Sequence, residues 1–347
     1  MPKKRKVVSV MGGGTGTYTV LSALKRFSDF DLKAIVAMTD DGGSTGVLRS
    51  ELGVLPSGDI RQCLVALSEA PETIRELFNY RFDNGSLKGH SFGNLFLSAF
   101  EKVLGSFDKS VQEISKIIKL RGEIVPVTLD NVNLKMVLKN GAVLKGERNI
   151  TPAEVIQPIG IKKFSIQPKP KLNPRAKKII LESDAIIIGP GNLYTSLIPL
   201  FLVPGVPEVL EKTRAKIILV VNLITKFGQT SGFSVFDFTH EIEKYLGLGV
   251  IDKVVFNTKM PKNIVLERYF RLEKSKPIIL PLNKKNLPLS AKRASKNSFV
   301  FEGKEFFGGN LVSNGLNHQI KPDVLLKRNL IRHHSEKLAE FLIKLIK

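Results

Sequence analysis

Apolar and polar positions follow two rhythms along this chain. Residues 6–11 form a short β-branched run that stops at glycines, and Val20, Leu21 and Leu24 follow at helical spacing within residues 17–27. This predicts a strand, a tight turn and a helix. Residues 32–38 give a second strand, which runs into the polar, Gly-rich turn at residues 39–46. Amphipathic periodicity predicts helices over residues 59–69, 73–82, 94–104 and 110–120. Past Ile124 the rhythm shortens. Residues 125–129, 133–138 and 143–144, with Asn140-Gly141 as a hairpin turn, predict a small set of antiparallel strands. Residues 168–174 hold three prolines and read as an extended connector. Helix and strand then alternate again, with a helix at residues 177–182 and buried strands at 185–188, 216–222 and 253–257. Strands that are apolar throughout and separated by helices predict an α/β protein with a mainly parallel sheet covered on both faces.

This divides the chain into an α/β core at residues 1–123 and 175–270, a small β insertion at 124–174, and a basic C-terminal extension at 271–347 packing on the core. The last element of that extension is an amphipathic basic helix over residues 336–347.

Composition narrows the picture. With 347 residues and 43% hydrophobic content the chain can bury a large core. Its apolar stretches fall far short of the roughly 20 residues that cross a bilayer. The basic run at Lys3, Lys4, Arg5 and Lys6 is followed by too short an apolar segment for a signal peptide, which points to a cytoplasmic protein. The same run resembles a nuclear import signal, although basic residues before a buried first strand account for it equally well. The single cysteine, Cys63, excludes an internal disulfide and a thiolate zinc site. A net charge of +21 raises the question of nucleic acid, but the excess of basic over acidic residues is only 2 in residues 1–130, against 12 in residues 257–347. The positive charge therefore sits away from the motifs, on the C-terminal part.

In parallel sheets ligands lie beyond the carboxyl ends of the strands, so the turns directly after each strand carry the chemistry. The first turn, Gly12-Gly13-Gly14-Thr15-Gly16, suits either a bare tight turn or a phosphate cradle in which backbone N–H groups approach phosphate oxygens, with Thr15 or Thr17 as hydroxyl donor or cap. It lacks the Walker lysine and the third glycine of the dinucleotide fingerprint. The second turn pairs carboxylates with glycines, Asp40-Asp41-Gly42-Gly43, with Arg49 close behind. Such a pair suits a sugar hydroxyl, Mg²⁺ or general-base work. Asp59 and Arg61 fall in the first turn of the next helix, where Asp59 as an N-cap is the structural alternative. His90 and Asn94 flank another helix start and offer donors to an anion. Gly189, Gly191, Asn192, Tyr194 and Ser196 repeat the small-residue and hydroxyl pattern after a later strand.

Taken in order, GGGTG, TDDGGSTGVLR, LGVLPSGDIRQCLVAL, YRF, GHSFGN, GPGNLYTS and NLITKFGQT resemble the gluconeogenesis factor (YvcK-like) family, relatives of CofD, the 2-phospho-L-lactate transferase of deazaflavin cofactor synthesis. The likeness runs from about Val7 to about Asn257. It implies a Rossmann-like three-layer core and a cytoplasmic regulatory protein that binds UDP-sugars, UDP-N-acetylglucosamine in particular. It further implies a role in cell shape and cell-wall synthesis during gluconeogenic growth, with a cell-wall-synthesis protein or a second copy as partners. On this reading the diphosphate lies on Gly13, Thr15, Gly191 and Ser196, and Asp40, Asp41 and Asn222 supply sugar or ribose contacts. Farther on, the resemblance offers Tyr269 for stacking on uracil and Arg332 for the diphosphate, while His334 stands where that block usually continues with an acidic residue. The CofD branch implies the alternative of a Mg²⁺-dependent phospholactyl transferase, with Asp41 on Mg²⁺ and Asp59 near the leaving phosphate. No general base or nucleophile is unambiguous in the sequence. Nucleic-acid binding through residues 321–347 is the third alternative.

Overall fold

The computed structural model describes residues 5–280, 282, 287–313 and 331–346. Lys3, Lys4, Leu330 and much of the basic tail lie outside this set. Twelve strands occur among the described residues: β1 (Lys6–Gly12), β2 (Phe30–Val36), β3 (Glu123–Pro126), β4 (Asn133–Leu138), β5 (Val143–Lys145), β6 (Ile161–Gln167), β7 (Ala185–Ile188), β8 (Lys216–Val220), β9 (Lys253–Asn257), β10 (Lys292–Ser295), β11 (Ser298–Phe301) and β12 (Lys304–Gly309). Nine form one sheet in the order β10-β11-β12-β9-β8-β7-β1-β2-β3, and β5-β4-β6 form a small antiparallel sheet. From β12 through β3 the large sheet is parallel.

All four residues of β7 are at most 1% exposed. Successive strand side chains point to opposite faces, so a strand buried at every position must be covered on both. The helices that provide this cover begin with α1 (Gly14–Leu24), α2 (Gly43–Leu52), α3 (Gly58–Leu67), α4 (Glu72–Asn79), α5 (Phe92–Leu104) and α6 (Phe107–Ile117). Helix α1 buries Val20, Leu21 and Leu24, and packs against α3 and the C-terminal helix Ser335–Ile346. Burying each such aliphatic side chain contributes about 1.5–3 kcal/mol. Helices Pro174–Glu182, Val206–Lys212 and Val235–Leu246 form a second packed group.

One strand differs from the sequence expectation. Residues 125–129 are not part of the antiparallel set: β3 pairs parallel with β2, with Ile124 opposite Ala34 and Val125 opposite Ile35. Ile124, Val125 and Val127 are all at most 1% exposed, the uninterrupted burial of a parallel strand. Pro126 is tolerated because β3 is the edge of the sheet, where a missing N–H costs no ladder bond.

The basic residues after 270 contribute sheet as well as surface. β12 pairs parallel with β9 and carries β11 and β10 as an antiparallel ribbon. Phe299 and Phe306 stack at 4.9 Å, with Phe236 and Phe256 around them. Beneath this cluster Lys304 Nζ lies 3.2 Å from Glu243 Oε1, with both side chains at most 6% exposed.

Candidate functional site

β1 pairs with β2 on one side and β7 on the other, so the chain leaves β1 in one direction and returns to its other flank only at Ala185. Where successive connections diverge in this way, a crevice opens at the strand ends. The turns after β1 and β7 line it. Gly189 N–H donates to the Met11 carbonyl at 2.9 Å. At Gly16 an added Cβ would stand 1.7 Å from the Pro190 carbonyl oxygen, so only glycine lets the two turns close together. Asn222, just past β8, clamps the second turn: its Oδ1 accepts the Gly191 N–H at 3.0 Å and its Nδ2 donates to the Gly191 carbonyl at 2.7 Å.

The helical segments that leave these turns and the turn after β2 start alike. α1 is capped by Gly13 and α2 by Gly42, neither with a side-chain cap nor with an acidic residue in the first turn. The π-helical segment Leu193–Leu197 follows Asn192, again without a side-chain cap bond, and the buried Asn192 Oδ1 has no hydrogen-bond partner among the described residues. Helix starts of this kind leave N–H groups and positive dipole ends directed at the crevice, the ordinary means of holding a phosphate. Ser196 lies beside Gly13, where an added Cβ would sit 3.6 Å from the Ser196 Cβ. Thr17 is turned away, its hydroxyl donating to the Gly13 carbonyl at 3.2 Å.

Carboxylates converge on the same place. Asp59 is not the cap of α3, a position held by Ser57; it sits in the first turn, half-buried, and accepts the Gly14 N–H. Burial, with the Asp40 charge next, pushes its carboxyl up to about 7. Asp40 Oδ1 accepts the Gly42 N–H at 2.9 Å, and burial raises this carboxyl too. Glu147 reaches the group from the insertion, at the start of α7 (Glu147–Ile150), and is hydrogen-bonded to Thr195. Burial and the charges of Asp40 and Asp59 push Glu147 up to about 9. Asp41 accepts the Arg148 N–H at 2.7 Å. Lys226, after β8, has its ammonium pushed below its usual range by burial, while Glu147 opposes the shift.

Other residues singled out in the sequence are committed elsewhere. Arg49 donates to the Asp40 carbonyl (2.9 Å), Asn131 Oδ1 (2.7 Å), the Val132 carbonyl (2.7 Å) and Asn133 Oδ1 (3.3 Å), which ties the acidic turn to the insertion. Arg61 donates to Asn94 Oδ1 at 3.0 Å and Asn79 Oδ1 at 2.6 Å. Tyr194 is buried, with its hydroxyl 3.1 Å from Glu241 Oε1 in the core. His90 lines a cavity next to the crevice rather than the crevice itself. Tyr269 is 6% exposed, and its hydroxyl accepts the Ile331 N–H at 3.4 Å, which brings it beside Arg332. The following His333 is hydrogen-bonded to the backbone of Val221, next to Asn222.

Sequence reading missed Glu147, Thr195, Lys226 and Gln229. The Gln229 amide donates to the carbonyls of Ile150 and Thr151, both at 2.9 Å, and Thr151 contacts Thr195 at 3.4 Å. The insertion is thereby fastened to the turns after β2, β7 and β8. Among the described residues no three His, Cys, Asp or Glu side chains are arranged to hold a metal ion. No single described helix is long and apolar enough to cross a membrane.

A family profile described as 2-phospho-L-lactate transferase CofD matches residues 8–294. The chain is 33% identical to the gluconeogenesis factor of Bacillus subtilis over 350 residues, covering all of both chains. It is 37% identical to the gluconeogenesis factor of Halalkalibacterium halodurans over 283 residues, 81% of this chain and 86% of the relative. Its structure is similar to the crystal structure of a UPF0052 family member from Bacillus halodurans, with a TM-score of 0.83, 32% identity and coverage of 98% of this chain and 99% of that one.

Proposed function

Because this chain belongs to the gluconeogenesis factor family, with a CofD family domain over residues 8–294, we propose that its crevice binds a UDP-sugar as a regulatory ligand. UDP-N-acetylglucosamine is the first candidate, and the process served is cell-shape and cell-wall synthesis under gluconeogenic growth. One observation carries this reading: the turns after β1 and β7 close on each other at Gly16 and Pro190, at the point where the sheet connections diverge and a crevice opens at the strand ends. A diphosphate bridging the first turn of α1 and the segment at Leu193–Leu197 would meet Gly13, Thr15, Gly191 and Ser196. On this reading Asp40, Asp41 and Asn222 would meet ribose or sugar hydroxyls, Tyr269 would stack on uracil and Arg332 would reach the diphosphate.

The test is thermal melting. Millimolar UDP-N-acetylglucosamine raises the melting temperature of the wild type, because a ligand that binds only the folded state stabilises it. Gly14→Asp loses the rise by setting a carboxylate against the diphosphate, whereas Gly14→Ala, which strains the same φ of +65° without charge, separates electrostatics from backbone effects. Absence of any shift in the wild type would sink the reading.

A second reading, a CofD-type transfer reaction, draws on Asp59 and Glu147. Carboxyls raised to about 7 and about 9 can carry a proton at neutral pH, as acid–base catalysis requires. Mg²⁺ is commonly held by one or two carboxylates together with phosphate oxygens. Asp41 is the donor this reading assigns, with Oδ1 already accepting the Arg148 N–H. Product formed from a phospholactyl donor and a deazaflavin only with Mg²⁺, and lost in Asp41→Asn, supports it; absence of product with both substrates supplied removes it.

A further inference from the structure

We propose that a second pocket, beside the crevice and distinct from the turns assigned to the diphosphate, binds a small ligand bearing a carboxylate or a phosphate. The cleft has a volume of about 370 Å³, within the range of small-molecule sites, and is lined by Asp41, Ser44, Val47, Lys88, His90 and Arg148. Its basic side chains come from two segments far apart in sequence. Lys88 and His90 belong to the loop that precedes α5, and Arg148 to α7 of the insertion. Among the described residues neither the Lys88 nor the Arg148 side chain has an ion-pair partner.

The placement of these groups is built rather than incidental. Gly146, at φ +79°, packs so closely on Asp41 that an added Cβ would lie 2.1 Å from Oδ2, and the next-but-one residue gives its N–H to Asp41 Oδ1. That pair of contacts fixes the turn that carries Arg148. On the opposite side Ser44 Oγ accepts the Ser91 N–H at 3.3 Å and lies 3.2 Å from His90 Nδ1. With Nδ1 engaged by Ser44, Nε2 is the ring nitrogen left for a ligand.

Electrostatics then divides the two neighbouring spaces. The crevice has Asp40, Asp59 and Glu147 at its base, whereas the cavity offers the cations of Lys88 and Arg148 against one carboxylate, Asp41, which stands at the border between them. An anionic group in the cavity is favoured by two cations and the glycine-capped start of α2 acting together. The pocket therefore suits a second ligand, or an acidic extension of the first, and the inference holds whether or not the crevice takes a UDP-sugar.

Imidazole-selective NMR of the full-length protein tests this, since the chain has five histidines and His90→Gln identifies the resonance of interest. Titration with citrate and, separately, inorganic phosphate is expected to move the His90 resonance saturably in the millimolar range. The stronger probe tells carboxylate from phosphate recognition. The Lys88→Ala/Arg148→Ala double variant is expected to weaken this response at least tenfold while keeping the wild-type melting temperature, and Gly14→Asp is expected to leave it unchanged. A resonance that neither probe moves overturns the proposal. So does a response lost in Gly14→Asp and intact in the double variant, which would place the anion on the glycine turn instead.

Discussion

The carboxyl of Asp59 accepts the backbone N–H of Gly14, so the first turn of α3 holds the first turn of α1 through a group that burial raises to about 7. An Asp whose folded value lies above the ordinary 3.8 binds more protons folded than unfolded between those two values. Stability from this group is therefore present at low pH and falls as pH rises from about 4 to about 7. Glu147, raised to about 9, extends the same fall to higher pH. Asp59→Asn keeps an acceptor for Gly14 and removes the titration. Its melting temperature is expected to exceed that of the wild type at pH 8, by about 1–2 °C for each kcal/mol recovered, with no gain at pH 4. Glu147→Gln is expected to show its gain up to pH 9. Melting curves across pH 4–9 check both, and a parallel offset at every pH would contradict the assignment.

Arg49 joins the acidic turn to the insertion by four hydrogen bonds whose acceptors lie in two directions. A lysine cannot reproduce this planar fork. Arg49→Lys is expected to lose about 1.5–3 kcal/mol, the scale of a hydrogen bond to a charged group, read by urea unfolding. A fully stable lysine variant would show that the fork is dispensable.

The contact at Gly16 makes a packing prediction. Gly16→Ala drives a methyl group into the Pro190 carbonyl, and the turns after β1 and β7 must part. Overpacking of this kind costs about 1–3 kcal/mol. Ligand-induced stabilisation is expected to fall along with intrinsic stability, measured by melting with and without UDP-N-acetylglucosamine.

Lys304 and Glu243 test how firmly the C-terminal strands belong to the core. Lys304→Ala leaves Glu243, whose side chain is fully buried, without its cation. Removing one partner of such a pair costs about 3–5 kcal/mol. Denaturation that shows a loss below 1 kcal/mol would mean that water reaches Glu243.

The large parallel sheet was legible because several of its strands are largely apolar, residues 185–188 at every position, and because glycine-rich turns follow β1, β2 and β7. Residues 125–129 were misread because a short apolar run with a proline looks alike at a parallel edge and in a hairpin; pairing with β2 is a tertiary fact. Of the candidate site, the glycine turns and Asp40, Asp41 and Asp59 lie in motifs that sequence displays. Glu147 does not. It reaches the carboxyl cluster from a separate small sheet, and only the folding of the insertion onto the turn after β7 brings it there. Arg49 and Arg61 had the residue type of anion ligands, yet a buried guanidinium with several carbonyl and amide acceptors nearby is satisfied internally, and spacing alone carries no sign of that.

The divergence of connections on either side of β1 also fixes when a ligand can first be held. One wall of the crevice is made by residues 12–16 and the other by residues 189–196, so a nascent chain that has completed β1, α1 and β2 still has only half a binding surface. The second half arrives after the entire insertion has been synthesised and β7 has slotted against β1. A ligand captured at this seam would tie early and late parts of the chain together, so that occupancy would report completion of the fold.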